Sequence, residues 1–262
     1  MKKIPLIMDC DPGLDDAIAL LLAMANSQSL NLLGVTTVVG NGPVKQTQEN
    51  ARRICELAGR PDIKVFQGCP RSFFFKAPAF DSNYTSVDIH GETGLGGCRL
   101  TAPSMALQPL HAVNFLKEIL LTSSEKITIA ASGPLTNIAC ALIMEPAIKE
   151  KIEKIVLMGG AIGLGNITPS AEYNFYCDPQ AAAVVFTSGI PIVMIGLDVT
   201  RQTQTSEAWL KTIDSMGTPA SQAVVDMLSY YHRADAILEP GVSGGVLHDA
   251  RGCRLHRRVQ PP

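Results

Sequence analysis

The feature that most constrains this chain is an acidic turn that follows its first apolar segment. Residues 4–8 form a short apolar run of the kind that is buried as a strand, and Asp9, Asp11, Asp15 and Asp16 come directly after it. A Pro-Gly pair stands between the second and third of these aspartates, so a sharp turn is predicted there. The last two aspartates then fall in the first turn of a helix, where the helix dipole favours negative charge.

Four carboxylates within eight residues repel one another, and a bound cation is the simplest compensation. The ligands would all be oxygens, which favours a hard ion, Ca²⁺ or Mg²⁺. An EF-hand is excluded because it needs its glycine and closing glutamate at other offsets. Aspartate is also common in turns and helix caps, so one or two of the four can be ordinary capping residues. Their position beyond the end of a strand is nevertheless where open α/β sheets bind ligands.

The composition indicates a folded protein with one large α/β domain. The chain has 262 residues, 46% of them hydrophobic, and a formal net charge of −2. This charge gives no electrostatic reason to expect nucleic acid or an anionic membrane as a partner, so a small-molecule substrate is expected. The seven cysteines show no C-x-x-C spacing and are typical of reduced cytosolic thiols. No signal-peptide core or membrane span is recognisable, and a cytoplasmic protein is predicted.

Apolar segments alternate with helical patterns, which predicts an open, mostly parallel α/β sheet flanked by helices. Strands are predicted at 4–8, 30–39, 63–66, 126–131, 154–158 and 191–197, and helices at 17–25, 43–58, 111–121, 180–186, 206–216 and 219–237. The stretch 68–109 is predicted to be a loop. Polar residues follow several strands and are expected to share one rim of the sheet: Asp11, Asn41, Ser132, Asn166 and Asp198.

A cation held among carboxylates, with further Asp, Asn and Glu side chains nearby, is typical of a site that binds a polyhydroxyl compound and activates water. The chain has no nucleophile elbow or Ser-His-Asp order. The glycines between 159 and 165 lack the order of a dinucleotide fingerprint. Hydrolysis by metal-activated water is therefore the leading interpretation.

An ordered set of motifs covers the chain from about residue 4 to Asp249. It comprises the opening D-C-D-P-G-L-D-D-A at 9–17 and the segments 37–41, 89–92, 133–137, 158–160, 171–174 and 247–249. Together these segments resemble the inosine-uridine preferring nucleoside hydrolase family. The resemblance implies a Rossmann-like core that hydrolyses the N-glycosidic bond of ribonucleosides to ribose and free base, in nucleoside salvage. It also implies a bound Ca²⁺ and assembly into a homodimer or homotetramer.

The resemblance further implies roles for individual residues. Ca²⁺ would be bound by the carboxylates of Asp11, Asp16 and Asp249 and by the backbone carbonyl of Ser132, and Asp11 would also be the general base. The ribose hydroxyls would be held by Asp15, Asn166, Glu172 and Asn174, with Asn41 close by and the Met158 backbone beneath the sugar. A pocket rich in carboxylates agrees with this, because N-glycosidic cleavage builds positive charge on the ribose ring.

The leaving base must also be neutralised, and His248 and His90 are the candidates to protonate it or hydrogen-bond it. His248 could equally support the neighbouring metal ligand. The two histidines together with the segment 163–169 favour the pyrimidine-preferring bacterial members of the family. The sequence leaves the base preference open.

The resemblance stops after Asp249. Family members continue into an apolar helix and further elements, whereas residues 250–262 form a basic tail without apolar periodicity. We therefore expect an incomplete nucleoside hydrolase domain at 1–249 whose C-terminal elements are missing. The atypical tail at 250–262 is interpreted as the result of truncation or a frameshift, with a genuinely short variant as the alternative. Either origin leaves open whether Asp249 is held firmly enough for activity.

Two other functions stay open at this point. The Asp9-x-Asp11 pair after the first strand is also how haloacid-dehalogenase-like phosphatases begin, with Asp9 as the nucleophile and Mg²⁺ as the cofactor, although the residues after Asp11 differ from that pattern. The second alternative is an inactive, riboside-binding remnant of a nucleoside hydrolase, which the altered C-terminus makes plausible.

Overall fold

Six parallel strands form a single sheet in the computed structural model, which describes residues 2–73, 87–238 and 246–249. The strand order is β3-β2-β1-β4-β5-β6. The strands are β1 Ile4–Cys10, β2 Leu30–Thr37, β3 Val65–Gln67, β4 Ile127–Ala131, β5 Ile152–Met158 and β6 Ile192–Ile195. Each neighbouring pair is parallel, which confirms the predicted open α/β sheet. The predicted tail at 250–262 lies outside the described residues.

Helices connect the strands and cover both faces of the sheet. They are α1 Leu14–Ala25, α2 Val44–Leu57, α3 Val87–His90, α4 Ala112–Thr122, α5 Thr136–Met144, α6 Tyr173–Cys177, α7 Pro179–Phe186, α8 Leu197–Thr200, α9 Glu207–Asp214 and α10 Pro219–Leu238, with a 3₁₀ segment at Pro146–Lys151. Among the described helices, none combines the length and the apolar character that a bilayer crossing requires.

The core lies in two layers, one on each face of the sheet. Alternate side chains of β1 serve the two layers: Leu6 and Met8 pack with α1, α2 and α10, whereas Ile7 packs with α4, α5 and α7. Since both faces are covered, the central strands read as nearly continuous apolar runs. β4, for example, is buried at all five positions.

The two central strands, β1 and β4, create the place where a site can form. The chain moves outward from β1 through β2 to β3, and then returns to the other side of β1 with β4, β5 and β6. The direction of winding therefore reverses between β1 and β4, and open α/β sheets bind ligands beyond the carboxyl ends of the strands at such a point. The acidic turn leaves β1 at this position.

Local differences from the sequence-based prediction concern short segments. β2 ends at Thr37 rather than at 39, because the backbone N–H groups of Val38 and Val39 turn to the carbonyls of Cys10 and Cys69. The predicted loop at 68–109 contains the short helix α3, and a further short helix, α6, forms at Tyr173–Cys177, where no element was predicted. Both helices contribute residues to the cleft described below.

Candidate active site

A cleft of about 520 Å³ opens beyond the carboxyl ends of the strands. It is lined by Asp15, Asn41, Ile89, His90, Ser132, Met158, Asn166, Glu172, Tyr173, Asn174, Tyr231, His248 and Asp249. All the residues to which the family resemblance assigns a role are in this lining except Asp11 and Asp16. These two are completely buried, and both are hydrogen-bonded to the lining residue Asn41.

Three buried carboxylates converge at one place in the cleft. Asp15, Asp16 and Asp249 each present an oxygen within 4.8 Å of the others. Oδ1 of Asp16 accepts a 2.6 Å hydrogen bond from the Ser132 hydroxyl, and its Oδ2 accepts one of 3.0 Å from Nδ2 of Asn41. Burial raises the pKa of both Asp16 and Asp249, and for Asp249 the neighbouring aspartates add to the rise.

Asp11 lies beside this cluster with one oxygen satisfied and one unpaired. Its Oδ2 accepts a 2.7 Å hydrogen bond from the backbone N–H of Asn41, whereas its Oδ1 is buried without a hydrogen-bond partner. The backbone approaches the carboxylate closely, because a Cβ on Gly133 would stand 2.6 Å from Oδ1. Burial and the Asp16 charge raise the pKa of Asp11 well above its ordinary value.

These observations fit a hard cation. A carboxylate offers only acceptor oxygens when ionised, and several of them buried together repel unless a positive charge is bound among them. The unpaired Asp11 oxygen and the convergent oxygens of Asp15, Asp16 and Asp249 supply the all-oxygen donor set that Ca²⁺ or Mg²⁺ prefers. The residue whose hydroxyl donates to Asp16 is Ser132, and its carbonyl accepts a 2.8 Å hydrogen bond from Nδ2 of Asn174.

The polar wall of the cleft is built at the start of α6. Glu172 caps this helix: its Oε1 accepts from the N–H of Asn174, and its Oε2 accepts from the N–H groups of Gly160 and Phe175. Burial raises the pKa of Glu172 to about 7. Nδ2 of Asn174 also donates to the Met158 carbonyl at 3.1 Å, so this amide ties the ends of β4 and β5 together.

Asn166 and Tyr173 connect this wall to the turn after β2. Oδ1 of Asn166 accepts a 2.9 Å hydrogen bond from the N–H of Tyr173. The Tyr173 hydroxyl donates to the carbonyl of Gly40 at 2.7 Å, immediately before Asn41. The Tyr173 side chain therefore fixes the turn at Gly40, and the next residue, Asn41, donates hydrogen bonds to both Asp11 and Asp16.

The two histidines predicted from the sequence both lie in the cleft. Nδ1 of His90 accepts a 3.2 Å hydrogen bond from the N–H of Leu14, and its ring stacks on that of Tyr231. Nδ1 of His248 is 2.7 Å from the Thr200 hydroxyl. The pKa of each histidine is lowered to about 4, mainly by burial, with a smaller contribution from His248 in the case of His90 and from Arg201 in the case of His248. Both rings are therefore neutral at pH 7.

Asp9 faces away from the cleft, contrary to the picture of four carboxylates packed together. It lies within β1, where its Oδ1 accepts hydrogen bonds from Thr36 and Asn137, and burial raises its pKa to about 6. It is absent from the cleft lining, so the phosphatase alternative, which needs Asp9 as a nucleophile, gains no support. Asp198 is also outside the lining, because its Oδ1 accepts from the N–H of Ile162 in the loop after β5.

Sequence reasoning missed three residues that line the cleft: Ile89, Tyr173 and Tyr231. Tyr231 lies on α10, far along the chain, and only the packing of that helix beside α3 brings it to His90. Tyr173 lies between Glu172 and Asn174 in the chain. Those two polar residues were predicted to bind substrate, but the tyrosine between them gave no such indication by itself.

Comparisons with known proteins give a consistent answer. The family model of the inosine-uridine preferring nucleoside hydrolases matches residues 6–254. The pyrimidine-specific ribonucleoside hydrolase RihA of Shewanella sp. (strain MR-7) is 45% identical over 248 residues, which are 94% of this chain and 75% of the relative. The pyrimidine-specific ribonucleoside hydrolase RihB of Escherichia coli (strain K12 / DH10B) is 41% identical over 250 residues, with 95% and 77% of the two chains covered.

A solved structure shows the same fold. The purine-preferring ribonucleoside hydrolase from Gardnerella vaginalis superposes with a TM-score of 0.90 at 34% identity, covering 96% of this chain and 79% of that one. The plant nucleoside hydrolase PpNRh1 gives a TM-score of 0.88 at 30% identity, with coverage of 97% and 78%. On the strength of the family match over most of its length, this chain belongs to the inosine-uridine preferring nucleoside hydrolase family.

Proposed function

We propose that this protein hydrolyses the N-glycosidic bond of ribonucleosides to ribose and free base, with pyrimidine ribonucleosides as the preferred substrates. The observation that carries the proposal is the single cleft in which a buried carboxylate cluster, a wall of Asn and Glu side chains and two neutral histidines meet. The relatives at 41–45% identity are named pyrimidine-specific, which supports the base preference. A cytoplasmic homo-oligomer acting in nucleoside salvage is the setting that we propose for it.

The cation site of the proposal is specific. Asp11, Asp16 and Asp249 would bind Ca²⁺ through their carboxylates and Ser132 through its carbonyl. Such an ion supplies a Lewis acid that lowers the pKa of water and neutralises the acidic cluster. The support is chemical: the cluster is buried, all its ligands are oxygens, and one oxygen of Asp11 has no other partner.

Asp11 is proposed as the general base. A carboxylate beside a cation that lowers the pKa of water can accept the proton which that water loses. The Asn41 N–H holds one oxygen and leaves the other free to accept. Its close packing against Gly133 restricts the carboxylate to one position, as proton transfer at a defined atom requires.

The ribose is proposed to lie against the polar wall. Asp15, Asn166, Glu172 and Asn174, with Asn41 nearby, would bind the ribose hydroxyls, and the Met158 backbone would lie beneath the sugar. Positive charge develops on the ribose ring as the glycosidic bond breaks, and the surrounding acidic side chains stabilise it. Glu172 and Asn174 are already positioned by backbone contacts, so little side-chain entropy is lost on binding.

His90 and His248 are proposed to assist departure of the base. Because Nδ1 of His90 accepts from the Leu14 N–H, the neutral ring carries its proton on Nε2 and can donate from that atom. Stacking on Tyr231 restricts the rotation of the ring. A hydrogen bond from Nε2 to a carbonyl or ring nitrogen of the base lowers the cost of the negative charge that the leaving base acquires.

Ribose release by the purified 262-residue protein tests the proposal. Uridine, cytidine, inosine and adenosine are supplied in turn with Ca²⁺ and after chelation, and reducing sugar is measured. We expect chelator-sensitive release that is fastest with uridine or cytidine. Thermal stabilisation by ribosides without any release would identify the inactive binding remnant, and an absence of both would refute the proposal.

A further inference from the structure

Two cysteines outside the cleft lie in direct contact. Cys69 follows β3, Cys140 lies within α5, and their Sγ atoms are 3.9 Å apart although 71 positions separate them in the chain. Both are partly exposed, whereas Cys10, Cys55, Cys98 and Cys177 are buried. Formation of a disulfide requires the sulfurs to approach from this distance to about 2.05 Å.

The contact also assigns different roles to the two thiols. The Cys69 thiol donates its hydrogen bond to the sulfur of Cys140, which lowers the pKa of Cys140 and raises that of Cys69. Cys140 is thus the better thiolate, and Cys69 is positioned to react with it in a second step. An oxidisable thiol with a second thiol beside it is the arrangement that redox-sensitive cysteines share.

We propose that Cys69 and Cys140 form a modification site at which a peroxide introduces a reversible disulfide. The Cys140 thiolate attacks hydrogen peroxide, the O–O bond breaks, and the products are a sulfenic acid on Cys140 and hydroxide, which becomes water on protonation. The Cys69 sulfur then attacks the sulfenic sulfur and expels its oxygen as a second water. Two thiols are oxidised to one disulfide while one peroxide is reduced to two waters.

The crosslink would act close to the cleft. The Cys69 N–H donates to Oδ1 of Asn137, and the Cys69 carbonyl accepts from the N–H of Val39, two residues before Asn41. Nδ2 of Asn137 in turn donates to Asp9 in β1. A disulfide at Cys69 would therefore join α5 covalently to the segment after β3, and the carbonyl of Cys69 is hydrogen-bonded to the chain that leads from β2 into the Asn41 turn.

Peptide mapping of the intact, folded protein tests this site. Trypsin cleavage places Cys69 in peptide 65–71 and Cys140 in peptide 127–149, and each peptide contains no other cysteine. The reduced protein is treated with a small excess of hydrogen peroxide, free thiols are blocked, and the digest is analysed without reductant. We expect a crosslinked peptide whose mass is the sum of the masses of the two peptides less two hydrogens. Dithiothreitol should separate this species into the two peptides again.

Variants distinguish this pair from the other thiols. Cys69→Ala and Cys140→Ala each should abolish the crosslinked peptide, whereas Cys98→Ala should leave it unchanged. In a Cys69→Ser protein, whose hydroxyl can still donate a hydrogen bond to Cys140, the Cys140 thiol should instead accumulate as the sulfenic acid, which dimedone traps. Two results would overturn the proposal. One is that peptides 65–71 and 127–149 are recovered only as unlinked species after peroxide treatment. The other is that the crosslink forms only after the protein has been unfolded in urea.

Discussion

Replacing Gly133 with alanine probes whether the position of Asp11 is as critical as the geometry indicates. A Cβ at residue 133 would stand 2.6 Å from Oδ1 of Asp11, 2.9 Å from its Cγ and 3.0 Å from Val38 Cγ1. Ordinary van der Waals contact begins at 3.4 Å, so the carboxylate oxygen must move by about 0.8 Å. Asp11 has little freedom to do so, because it is fully buried and its other oxygen is held by the Asn41 N–H.

The expected effect follows from this displacement. A misplacement of about 1 Å in a reacting group costs roughly 10²-fold in rate, so Gly133→Ala should lower kcat for ribose release by roughly 10- to 100-fold. The free energy of unfolding should fall by about 1–3 kcal/mol, the usual cost of an extra methyl group in a packed interior. KM should change less than kcat, since the three atoms nearest to the new methyl group belong to Asp11 and Val38 and not to Glu172 or Asn174.

The assay compares ribose release and urea unfolding in the wild type, Gly133→Ala and Gly97→Ala. Gly97 is the matched control, because a Cβ there meets no atom within 4 Å. The same three proteins are tested for thermal stabilisation by Ca²⁺, which reports on Asp11 even where turnover is slow. A folded Gly133→Ala protein with kcat within about threefold of the wild type would refute the reasoning that ties catalysis to the fixed position of Asp11.

Three further predictions concern residues around the cleft. Tyr173→Phe removes the donor of the 2.7 Å hydrogen bond to Gly40 and should cost about 1 kcal/mol in urea unfolding, and an unchanged unfolding midpoint would contradict this role. The pKa of His90 is lowered from 6.5 to about 4 in the folded protein, so the unfolded chain binds a proton first as the pH falls. The contribution of His90 to the free energy of unfolding is therefore lost as the pH falls from 6.5 to 4, and the loss is roughly 3 kcal/mol. The difference in unfolding free energy between the wild type and His90→Gln should follow this curve, and a difference that is flat across the range would count against it. Asp249→Asn relieves repulsion in the carboxylate cluster, so without metal this variant should be at least as stable as the wild type. It should nevertheless lose most of the stabilisation by Ca²⁺. For the wild type this stabilisation is about 2.7 kcal/mol when Ca²⁺ is present at a hundredfold excess over its Kd. Calorimetry with and without chelator measures both quantities, and equal Ca²⁺ responses in the two proteins would remove Asp249 from the cation site.

The central strands could be predicted from the sequence because they are apolar runs that are largely buried on both faces, whereas the edge strand β6 is exposed at Val193. β1, β4 and β5 contain few polar residues, and their ends are marked by Asp, Ser-Gly and Gly-Gly. The polar residues after these strands could then be placed on one rim, since parallel strands direct their carboxyl ends to the same edge. Asp198 did not follow this rule into the cleft, because it lies in the first turn of α8, where its carboxylate accepts a hydrogen bond from the N–H of Ile162 in a neighbouring loop.

Contacts between distant segments could not be predicted in the same way. Asp9 and Asp11 are both aspartates and stand two positions apart, a spacing that would place them on the same face of a continuous strand. β1 ends at Cys10, between the two residues, and this end of the strand separates them. The pleat directs Asp9 toward Thr36 and Asn137, where it is bonded within the sheet, whereas Asp11 lies beyond the last strand residue and turns to Asn41. Tyr231 likewise depends on the packing of α10 against α3, which no local pattern encodes.

The arrangement of the supporting hydrogen bonds explains why the cleft can be rigid although it is built from turns. Asn41, Ser132 and Asn174 each contact groups from different strand ends: Asn41 bonds Asp11 and Asp16, Ser132 bonds Asp16, and Asn174 bonds the carbonyls of Ser132 and Met158. The turns after β1, β2, β4 and β5 are thus joined in one network, and a displacement of any one of them must break a buried hydrogen bond. Since an unsatisfied buried polar group costs about 1–3 kcal/mol, the network opposes movement of the turns in the absence of any bound ligand. The carboxylates are consequently held close together despite their mutual repulsion, which is the condition under which a cation binds most strongly.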